Sequence, residues 1–453
     1  MTTPRLPIDL GDSMTATPVS PRVDALVQRP QRHQVELGMF TLDNRVPADH
    51  SVREIEAVIA GLDLTMLESR IRANAEAGGR PAIDPRILLT LWVYGTTQGE
   101  VEASTIARHV QTDDIYRWIC GGVSVGERKL ADFRAKGAEV FDAMLTQVIV
   151  ALMTEGLIDL HRTAQDGTRV RTWTGADSFR RQDTLETLLT AAKAHLEALQ
   201  AQAHDGRRSK VARVAQERGA RQRIERLERA VARVRTLAAE LSEAERKDPK
   251  KAPRVSATDP EATRMKMSDG GFRPAYNVQF DTTADSQGAV VGVSVSARGN
   301  DYGEMTPMLE QVEQRSGQRP DQTLVDGGYV QKEDIRRVEQ GGTQVFAPLP
   351  KPKRVAAPGG KRDQERSVEE RAFYERIQST EGKAVYHQRG EVAELTNAHA
   401  KSRYGLVLLM LRGLKGALVM ALLAALAKDV QVLVRARAAQ AQRTPIAAVT
   451  IAT

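Results

Sequence analysis

The feature that most constrains this fold is a long helical segment that interrupts a series of strands. Residues 161–172 alternate polar and β-branched side chains, as a strand does, and the next strand pattern begins only at Ala275. Between them, apolar residues recur at heptad spacing in two stretches: Leu185, Leu189, Ala192, Leu196 and Leu199, and then Ile224, Leu227, Val231, Val234, Ala238 and Leu241. With the turn residues Asp205-Gly206 between the stretches, residues 182–250 are predicted to form an antiparallel helical hairpin inserted into a sheet domain.

The elements around the insertion predict an α/β fold. Two strand patterns separated by turn residues follow the insertion, and then helix, strand, helix, strand and helix follow in turn. Their approximate ranges are 275–283, 289–297, 303–315, 323–329, 332–340, 343–349 and the segments from 368 and 386 onward. Three antiparallel strands followed by this alternation are typical of an RNase H-like mixed sheet with helices on both faces. Asn300 and Asp301 are predicted to cap the helix that begins near Gly303.

The chain before and after the sheet divides into further units. Residues 51–158 show helical periodicity and are predicted to form an all-helical domain, in which Ser51 and Glu54 have capping-box spacing and Pro85 begins a helix. The sheet domain then comprises residues 159–181 and 255–430, and the insertion comprises residues 182–254. The two ends are predicted to be flexible tails: residues 1–50, and the basic segment 431–453.

Charge is unevenly distributed along the 453 residues, a length that suits two or three domains. The formal net charge is +7, but residues 205–254 carry 16 Lys and Arg against 8 Asp and Glu. Residues 401–443 carry 8 Lys and Arg and a single acid, Asp429, so the other 360 residues have a net charge of −8. This pattern predicts a polyanionic partner that is bound locally by two basic segments.

Cysteine content and hydropathy bear on the compartment. Cys120 is the single cysteine, so no disulfide framework is expected, and we predict that it is a buried small side chain. The longest apolar run, Gly416 to Ala427, is shorter than the roughly twenty residues that a bilayer requires, and Lys415 and Lys428 flank it. No signal peptide is visible. We therefore expect a cytoplasmic protein without a membrane span.

Three acidic residues are candidates for a metal site. Asp166 lies on the first strand, Asp326 follows the fourth strand, and Glu394 lies on a late helix. Phosphoryl transfer on DNA requires neutralisation of charge on the attacked phosphate, and two divalent cations held by carboxylates from separate elements can supply it. Magnesium prefers a few carboxylates together with water and substrate oxygens. Glu391 lies three residues before Glu394 and shares its predicted helix face, so either side chain could point at the metals.

Several strings carry a resemblance to a known family. In chain order they are VPADHSVR with LDLTMLE, GRPAIDPRILLTLWVYG, RWICGGVSVGERKLADFR, LIDLHRTAQDGTRVR, DPEATRMKMSDGGFRPAYNVQ, LVDGGYVQKEDI and YHQRGEVAELTNAHAKSRYGL. With these strings, residues 45–427 resemble the DDE transposases of bacterial insertion sequences, especially the branch with a helical amino-terminal domain and an interrupted RNase H-like core. The string AELTNAHA resembles the family context of the third carboxylate and favours Glu394 over Glu391.

The resemblance implies an enzyme that cleaves DNA and transfers the cut strand. It implies that Asp166, Asp326 and Glu394 are the catalytic residues and bind Mg²⁺, for which Mn²⁺ can substitute. Tyr386, Arg389, Glu394 and Lys401 resemble the Tyr-Arg-Glu-Lys signature of this superfamily, in which the Arg and Lys contact DNA phosphates.

The resemblance also implies partners and a location. The partner is double-stranded DNA, both the transposon ends and the target, bound by a homodimer or a larger assembly near the nucleoid in the cytoplasm. The helical domain, through a helix-turn-helix around residues 104–134, would bind terminal inverted repeats. The basic hairpin is a further candidate for DNA or protomer contact, through Arg221, Arg226 and Arg233. Two other functions remain open: a decayed or repurposed DNA-binding protein, and an RNase H-like nuclease that cuts without joining.

Overall fold

The computed structural model describes residues 27–34, 41–71, 81–201, 207–246, 248, 250–348 and 366–443. Its amino-terminal part is helical, as the sequence predicts. The helices are α1 Ser51–Gly61, α2 Thr65–Glu68, α3 Pro85–Thr97, α4 Ala103–Thr112, α5 Asp114–Cys120, α6 Glu127–Ala135 and α7 Ala138–Thr154. Their apolar faces share one core, in which Trp92, Ile106, Leu130 and Phe141 are fully buried, and Cys120 is buried as predicted.

Helix capping in this domain differs from the prediction in one place. Pro85 begins α3 as expected, and Asp84 caps the helix because its Oδ1 accepts a hydrogen bond of 2.8 Å from Arg86 N. The capping box at Ser51 is wrong. The residue at the N-cap of α1 is His50, whose Nδ1 accepts a hydrogen bond of 3.2 Å from Val52 N.

Both predicted flexible tails are partly ordered, so their boundaries are corrected. Strand β1, Val27–Gln28, pairs in parallel with β2, Ala82–Ile83, and Leu42 and Val46 are 2% and 3% exposed. The tail predicted for residues 1–50 is therefore wrong over residues 27–34 and 41–50, which pack on the helical domain. At the other end, residues 431–443 continue a long helix, and the tail prediction is wrong there too. The rest of both predicted tails lies outside the described residues.

A mixed sheet forms the second part and confirms the RNase H-like α/β class. Its strands are β3 Arg162–Thr172, β6 Thr263–Lys266, β7 Phe272–Thr283, β8 Val290–Ser296, β9 Gln322–Leu324, β10 Gln344–Phe346 and β11 Leu408–Leu409. β7 pairs antiparallel with β3, β6 and β8, and β9 lies between β3 and β10, parallel to both. β11 adds a parallel pair to the far end of β3. The predicted order of three antiparallel strands followed by parallel ones is thus confirmed.

Helices cover the sheet on both faces and connect its later strands. They are α11 Met305–Ser316, α12 Lys332–Gln340, α13 Val368–Gln378, α14 Thr380–His387, α15 Leu395–Ser402 and α16 Gly413–Arg443. A π-helical turn, Gly390–Glu394, separates α14 from α15. The basic loop predicted for residues 351–370 falls mostly outside the described residues.

The insertion is an antiparallel helical hairpin, as predicted. It consists of α8 Gln182–Ala201 and α9 Arg207–Glu240, followed by the short helix α10 Glu243–Arg246. Two ion pairs between the helices, Glu186–Arg235 at 2.6 Å and Lys193–Glu228 at 3.0 Å, show that the helices are antiparallel. Residue numbers rise along one helix as they fall along the other. Short strands β4, Phe179–Arg180, and β5, Val255–Ser256, pair antiparallel where the chain enters and leaves the insertion. The predicted turn Asp205-Gly206 lies outside the described residues.

Helix α16 joins the two parts of the protein. It packs on α1, α3 and α7 of the helical domain and on β7 and β8 of the sheet. The stretch Gly413–Gln440 is long and apolar enough to cross a membrane, but 89% of its most apolar window is buried inside the protein. Among the described residues, the bent pair α6 and α7 also meets this criterion if it is taken as one span. Burial of this extent is what the core helix of a globular protein shows.

Candidate active site

The sheet brings two of the predicted carboxylates to neighbouring strands. Asp166 lies on β3, and Asp326 follows β9, which runs parallel to β3 with Leu324 beside Ala164. Because side chains alternate along a strand, Ala164 and Asp166 point to the same face of the sheet. Ala393 of the π-helical turn packs with Ala164 and Leu324 on that face. Glu394, the next residue, therefore lies on the helical segment that covers the two aspartates.

Asp166 is largely buried, and both oxygens of its carboxylate have polar partners. Its Oδ1 accepts a hydrogen bond of 3.0 Å from Gly167 N and forms an ion pair with Arg389 Nη2, also at 3.0 Å. Its Oδ2 accepts a hydrogen bond of 3.0 Å from Asn397 Nδ2. Burial raises the pKa of Asp166 above its ordinary value, Arg389 partly offsets this, and the nearby carboxylate of Asp326 adds to the rise. This carboxylate is thus held in a fixed orientation, beside a cation.

Two glycines allow backbone to approach the carboxylates closely. Asp326 Oδ1 accepts a hydrogen bond of 2.7 Å from Gly328 N. A Cβ on Gly328 would lie 2.8 Å from that same oxygen and 3.2 Å from Asp301 Oδ2. A Cβ on Gly167 would lie 2.5 Å from Asp301 Oδ1. A side chain on Gly328 would fill the space between Asp326 and Asp301, whereas one on Gly167 would clash with Asp301 and with the amides of Asn277 and Gln279. The absence of a side chain at Gly328 therefore leaves a small cradle open between two carboxylates.

The π-helical turn determines which glutamate lies beside Arg389. In a regular α-helix, residues five apart point about 140° away from each other. The turn Gly390–Glu394 inserts one extra residue and brings the side chains of Arg389 and Glu394 together, with Nη1 and Oε1 3.8 Å apart. Glu391 instead lines a separate pocket with His399 and Lys428. The structure therefore places Glu394, and not Glu391, beside Arg389.

The other residues of the predicted signature surround the same carboxylates. Burial opposes the charge of Arg389, but its anionic neighbours Asp166, Asp326 and Glu394, together with Tyr386, raise its pKa above the ordinary value. Burial raises the pKa of Tyr386 and lowers that of Lys401. The negative charge of Asp166 acts to raise the pKa of both groups. These cationic and phenolic groups therefore lie within electrostatic range of one aspartate.

The three hairpin arginines lie on a different surface. Arg221 pairs with Glu217 at 3.7 Å, and Arg233 lines a cavity of about 480 Å³ together with Arg254 and Arg264. Burial lowers the pKa of Arg226, and three neighbouring cations lower it further: Arg412, Arg229 and Arg223. Clustered like charges of this kind are stabilised when a polyanion binds. Within the described chain, no ion pair or hydrogen bond joins the three arginines to the aspartates.

The oxygen donors of the site suit a hard divalent cation, although they are too far apart in this structure to coordinate one together. Across the described ranges, no three His, Cys, Asp or Glu side chains are close enough together to hold a metal ion as they stand. Asp166 and Asp326 supply carboxylate oxygens, and Asn397 Oδ1 is a buried oxygen without a hydrogen-bond partner in this part of the chain. Such hard oxygen donors are the ligands that Mg²⁺ and Mn²⁺ prefer. The guanidinium of Arg389 lies 3.0 Å from one of these oxygens, Asp166 Oδ1.

Sequence reasoning missed Asn397 and misjudged Asp301. Asp301 was predicted to cap α11, but the residue at that N-cap is Glu304, and its side chain makes no capping bond. Asp301 Oδ1 instead accepts hydrogen bonds of 2.7 Å from Asn277 Nδ2 and 2.6 Å from Gln279 Nε2. The available signal was on β7, where Asn277 and Gln279 interrupt a buried strand with polar side chains that require partners.

The mixed sheet and its carboxylates are compatible with an RNase H-like catalytic domain, and comparison with known families gives the class of protein. Residues 254–428 match the family described as Transposase DDE domain, and residues 40–136 match the family described as Transposase domain (DUF772). Asp326 and Glu394 fall within the first match, and the hairpin lies outside both. No curated protein and no solved structure matches the chain.

The chain is thus a transposase. It belongs to the DDE transposases of insertion sequences, and the resemblance found in its sequence is confirmed. Transposases of this class act on DNA, and their catalytic domains generally depend on divalent metal ions.

Proposed function

We propose that this transposase binds the terminal inverted repeats of an insertion sequence and catalyses metal-dependent strand cleavage followed by strand transfer. The observation that carries the proposal is the arrangement of Asp166, Asp326 and Glu394. Two of these carboxylates come from adjacent parallel strands, and the third comes from the helical turn that packs over them. Carboxylates that converge from separate elements are the arrangement that phosphoryl transfer on DNA requires.

Each residue of the site has a role in this reaction. Asp166, Asp326 and Glu394 would hold Mg²⁺, with Mn²⁺ as a substitute, and Asn397 orients Asp166 through its 3.0 Å hydrogen bond. When bound, two such cations promote ionisation of the attacking hydroxyl and stabilise the leaving oxygen. Arg389 and Lys401 would bind the phosphate that flanks the cleaved bond, because both are cationic and lie beside Asp166. Tyr386 is a further contact to the DNA backbone.

Other parts of the chain would bind DNA away from the chemistry. The helical domain, residues 51–158, would recognise the inverted repeats, with residues 104–134 as the candidate recognition segment. The hairpin surface would add sequence-independent phosphate contacts, which its clustered arginines favour. We further propose that the protein acts as a homodimer or a larger assembly, because two transposon ends must be cut and joined together.

The test is a nicking and joining assay on a DNA fragment that contains the cognate end. With Mg²⁺ or Mn²⁺, the wild-type protein should produce a 3′-hydroxyl at the end and join it to a target plasmid. Asp166→Asn and Asp326→Asn should reduce both steps to background while thermal denaturation shows an intact fold. Asp321→Asn is the matched control, since this exposed residue pairs with His161 away from the site. Full activity of the two active-site variants would refute the assignment, and cutting without joining would indicate a nuclease.

A further inference from the structure

The carboxylate of Asp301 does not cap the helix that follows it but is bound to side chains of the sheet. It lies between β8 and α11, yet its carboxylate turns back over the sheet toward β7. The two amides that hold it, Asn277 and Gln279, are 1% and 0% exposed, so they form a rigid buried support. Gln279 is fixed in turn by a hydrogen bond from the hydroxyl of Tyr329. This support comes from β7 and from the segment that follows β9, and it fixes one carboxylate at the end of the sheet.

The two oxygens of this carboxylate are used differently. Both amide donors bind Oδ1, and in the part of the chain that the structure describes no hydrogen bond is made to Oδ2. Asp301 is only partly buried, and Oδ2 is not among the buried atoms that lack a partner, so this oxygen is open to water or to a ligand. Oδ2 instead lies 3.2 Å from the point where a Cβ of Gly328 would stand, and Asp326 Oδ1 lies 2.8 Å from that same point. The free oxygen of Asp301 therefore faces the cradle that Asp326 borders.

Negative charge is concentrated around this cradle. Asp301 and Asp326 border one small cradle, and Asp301 is also close enough to Asp166 to act on its carboxyl electrostatically. Like charges at such distances repel each other in a partly buried site. Arg389, the cation nearest to Asp166, makes its ion pairs with Asp166 and Glu394 rather than with Asp301. A divalent cation in the cradle would relieve this repulsion.

We propose that Asp301 is a fourth carboxylate of the active site, which contributes Oδ2 to the divalent cation held by Asp326. The inference rests on the proposed function and deepens it, because it adds a ligand outside the three residues of the family signature. The amides of Asn277 and Gln279 then act as positioning residues, which hold Oδ1 and aim Oδ2 at the metal.

The experiment measures Mn²⁺ binding by the full-length chain, independently of activity. Asp301→Asn keeps a side-chain oxygen that can accept from both amides, but it removes the charge. Calorimetric titration with MnCl₂ should show binding weakened about tenfold or more, with an unchanged melting temperature. Asp321→Asn should bind Mn²⁺ as the wild type does. Wild-type affinity in Asp301→Asn would overturn the proposal.

Two further measurements separate the possible failures. Asp326→Asn is titrated in parallel. If it binds Mn²⁺ weakly and does not cut DNA while Asp301→Asn resembles the wild type, the fourth ligand is refuted and the proposed function stands. If Asp326→Asn also binds Mn²⁺ and cuts DNA normally, the proposed function itself fails. Should Asp301→Asn not fold, Fe²⁺ with ascorbate and peroxide is applied to the wild type: backbone cleavage near residue 301 supports the proposal, and its absence there overturns it.

Discussion

Replacement of Arg389 with glutamine should increase the affinity of the DNA-free protein for divalent cations. In the structure the Arg389 guanidinium lies 3.0 Å from Asp166 Oδ1 and 3.8 Å from Glu394 Oε1. A metal ion that binds these two carboxylates must therefore displace it. Glutamine keeps a hydrogen-bond donor on a shorter side chain and carries no positive charge, so it competes far less with a divalent cation.

The size of the effect follows from the burial of the pair. The side chains of Arg389 and Asp166 are 11% and 17% exposed, so solvent screens their interaction only weakly. A hydrogen bond that involves charged groups contributes about 1.5–3 kcal/mol, and about 1.4 kcal/mol corresponds to a factor of ten in an equilibrium constant. Removal of the competing charge should therefore lower the dissociation constant for Mn²⁺ by about 10- to 100-fold.

Calorimetric titration of MnCl₂ into the DNA-free, full-length protein measures this change. It is best done at about pH 8, where carboxylates are ionised. The matched control is Arg437→Gln, which removes a partly buried ion pair with Glu155 at the other end of the protein and should leave the constant unchanged. Equal or weaker Mn²⁺ binding by a folded Arg389→Gln variant would show that Arg389 does not compete with the cation for the carboxylates. The same variant should lose DNA cleavage, because the phosphate contact is lost as well.

Three further predictions concern the third carboxylate, a buried acid and the hairpin. Glu394→Gln should abolish strand nicking whereas Glu391→Gln should retain it, since only Glu394 lies beside Arg389; the opposite result would reverse the assignment. Burial raises the pKa of Asp281 to about 7, so the folded state keeps a proton that the unfolded state loses above about pH 4. Stability should therefore fall as pH rises from about 4 to 7, by at most ~4 kcal/mol, and urea unfolding should show a much flatter profile in Asp281→Asn than in the wild type. A wild-type profile without this decline would contradict the reasoning. Reversal of charge in the hairpin, by Arg221→Glu, Arg226→Glu and Arg233→Glu, should weaken DNA binding and reduce the dependence of the binding constant on salt concentration. An unchanged salt dependence would mean that this surface binds protein.

Periodic segments were predictable because their pattern and their packing agree. The hairpin repeats apolar residues at heptad spacing, and Leu185, Leu227 and Val234 are buried between its helices. Pro85 could be placed at the start of a helix because its fixed φ and missing N–H suit that position. The β7–β8 hairpin was visible because two alternating runs flank turn residues. In each case the local preference and the tertiary contacts favour the same structure.

Residues that owe their order to distant contacts were not predictable. Leu42 and Val46 are isolated apolar residues in a polar segment, and only the surface of the helical domain holds them in place. Residues 431–443 carry charged side chains at Arg435 and Arg437, which hid the continuation of α16 although Val432 and Leu433 are buried. Tertiary packing decided both cases.

In the candidate site, the sequence indicated chemical types better than geometry. Asp166 could be assigned to a strand, and Asp326 to the end of one, because β-branched residues recur in both segments. The partners of Asp301 could not be found, because they lie more than twenty residues away on β7 and contact it only after the sheet has formed. The π-helical turn was likewise hidden, since one extra residue in a helix leaves no clear mark on hydrophobic periodicity. That residue decides which way Glu394 points.

Helix α16 imposes an order on biosynthesis. It follows the sheet domain in the chain, yet Leu422, Leu426 and Val430 belong to the same core as Trp92 and the rest of the amino-terminal helical domain. The helical domain therefore lacks one wall of its core until the sheet domain and α16 have been translated. Truncated products that end before residue 413 would expose that apolar surface and become substrates for proteolysis. Placement of this core helix after the sheet domain thus makes the stability of the first domain depend on translation of the second.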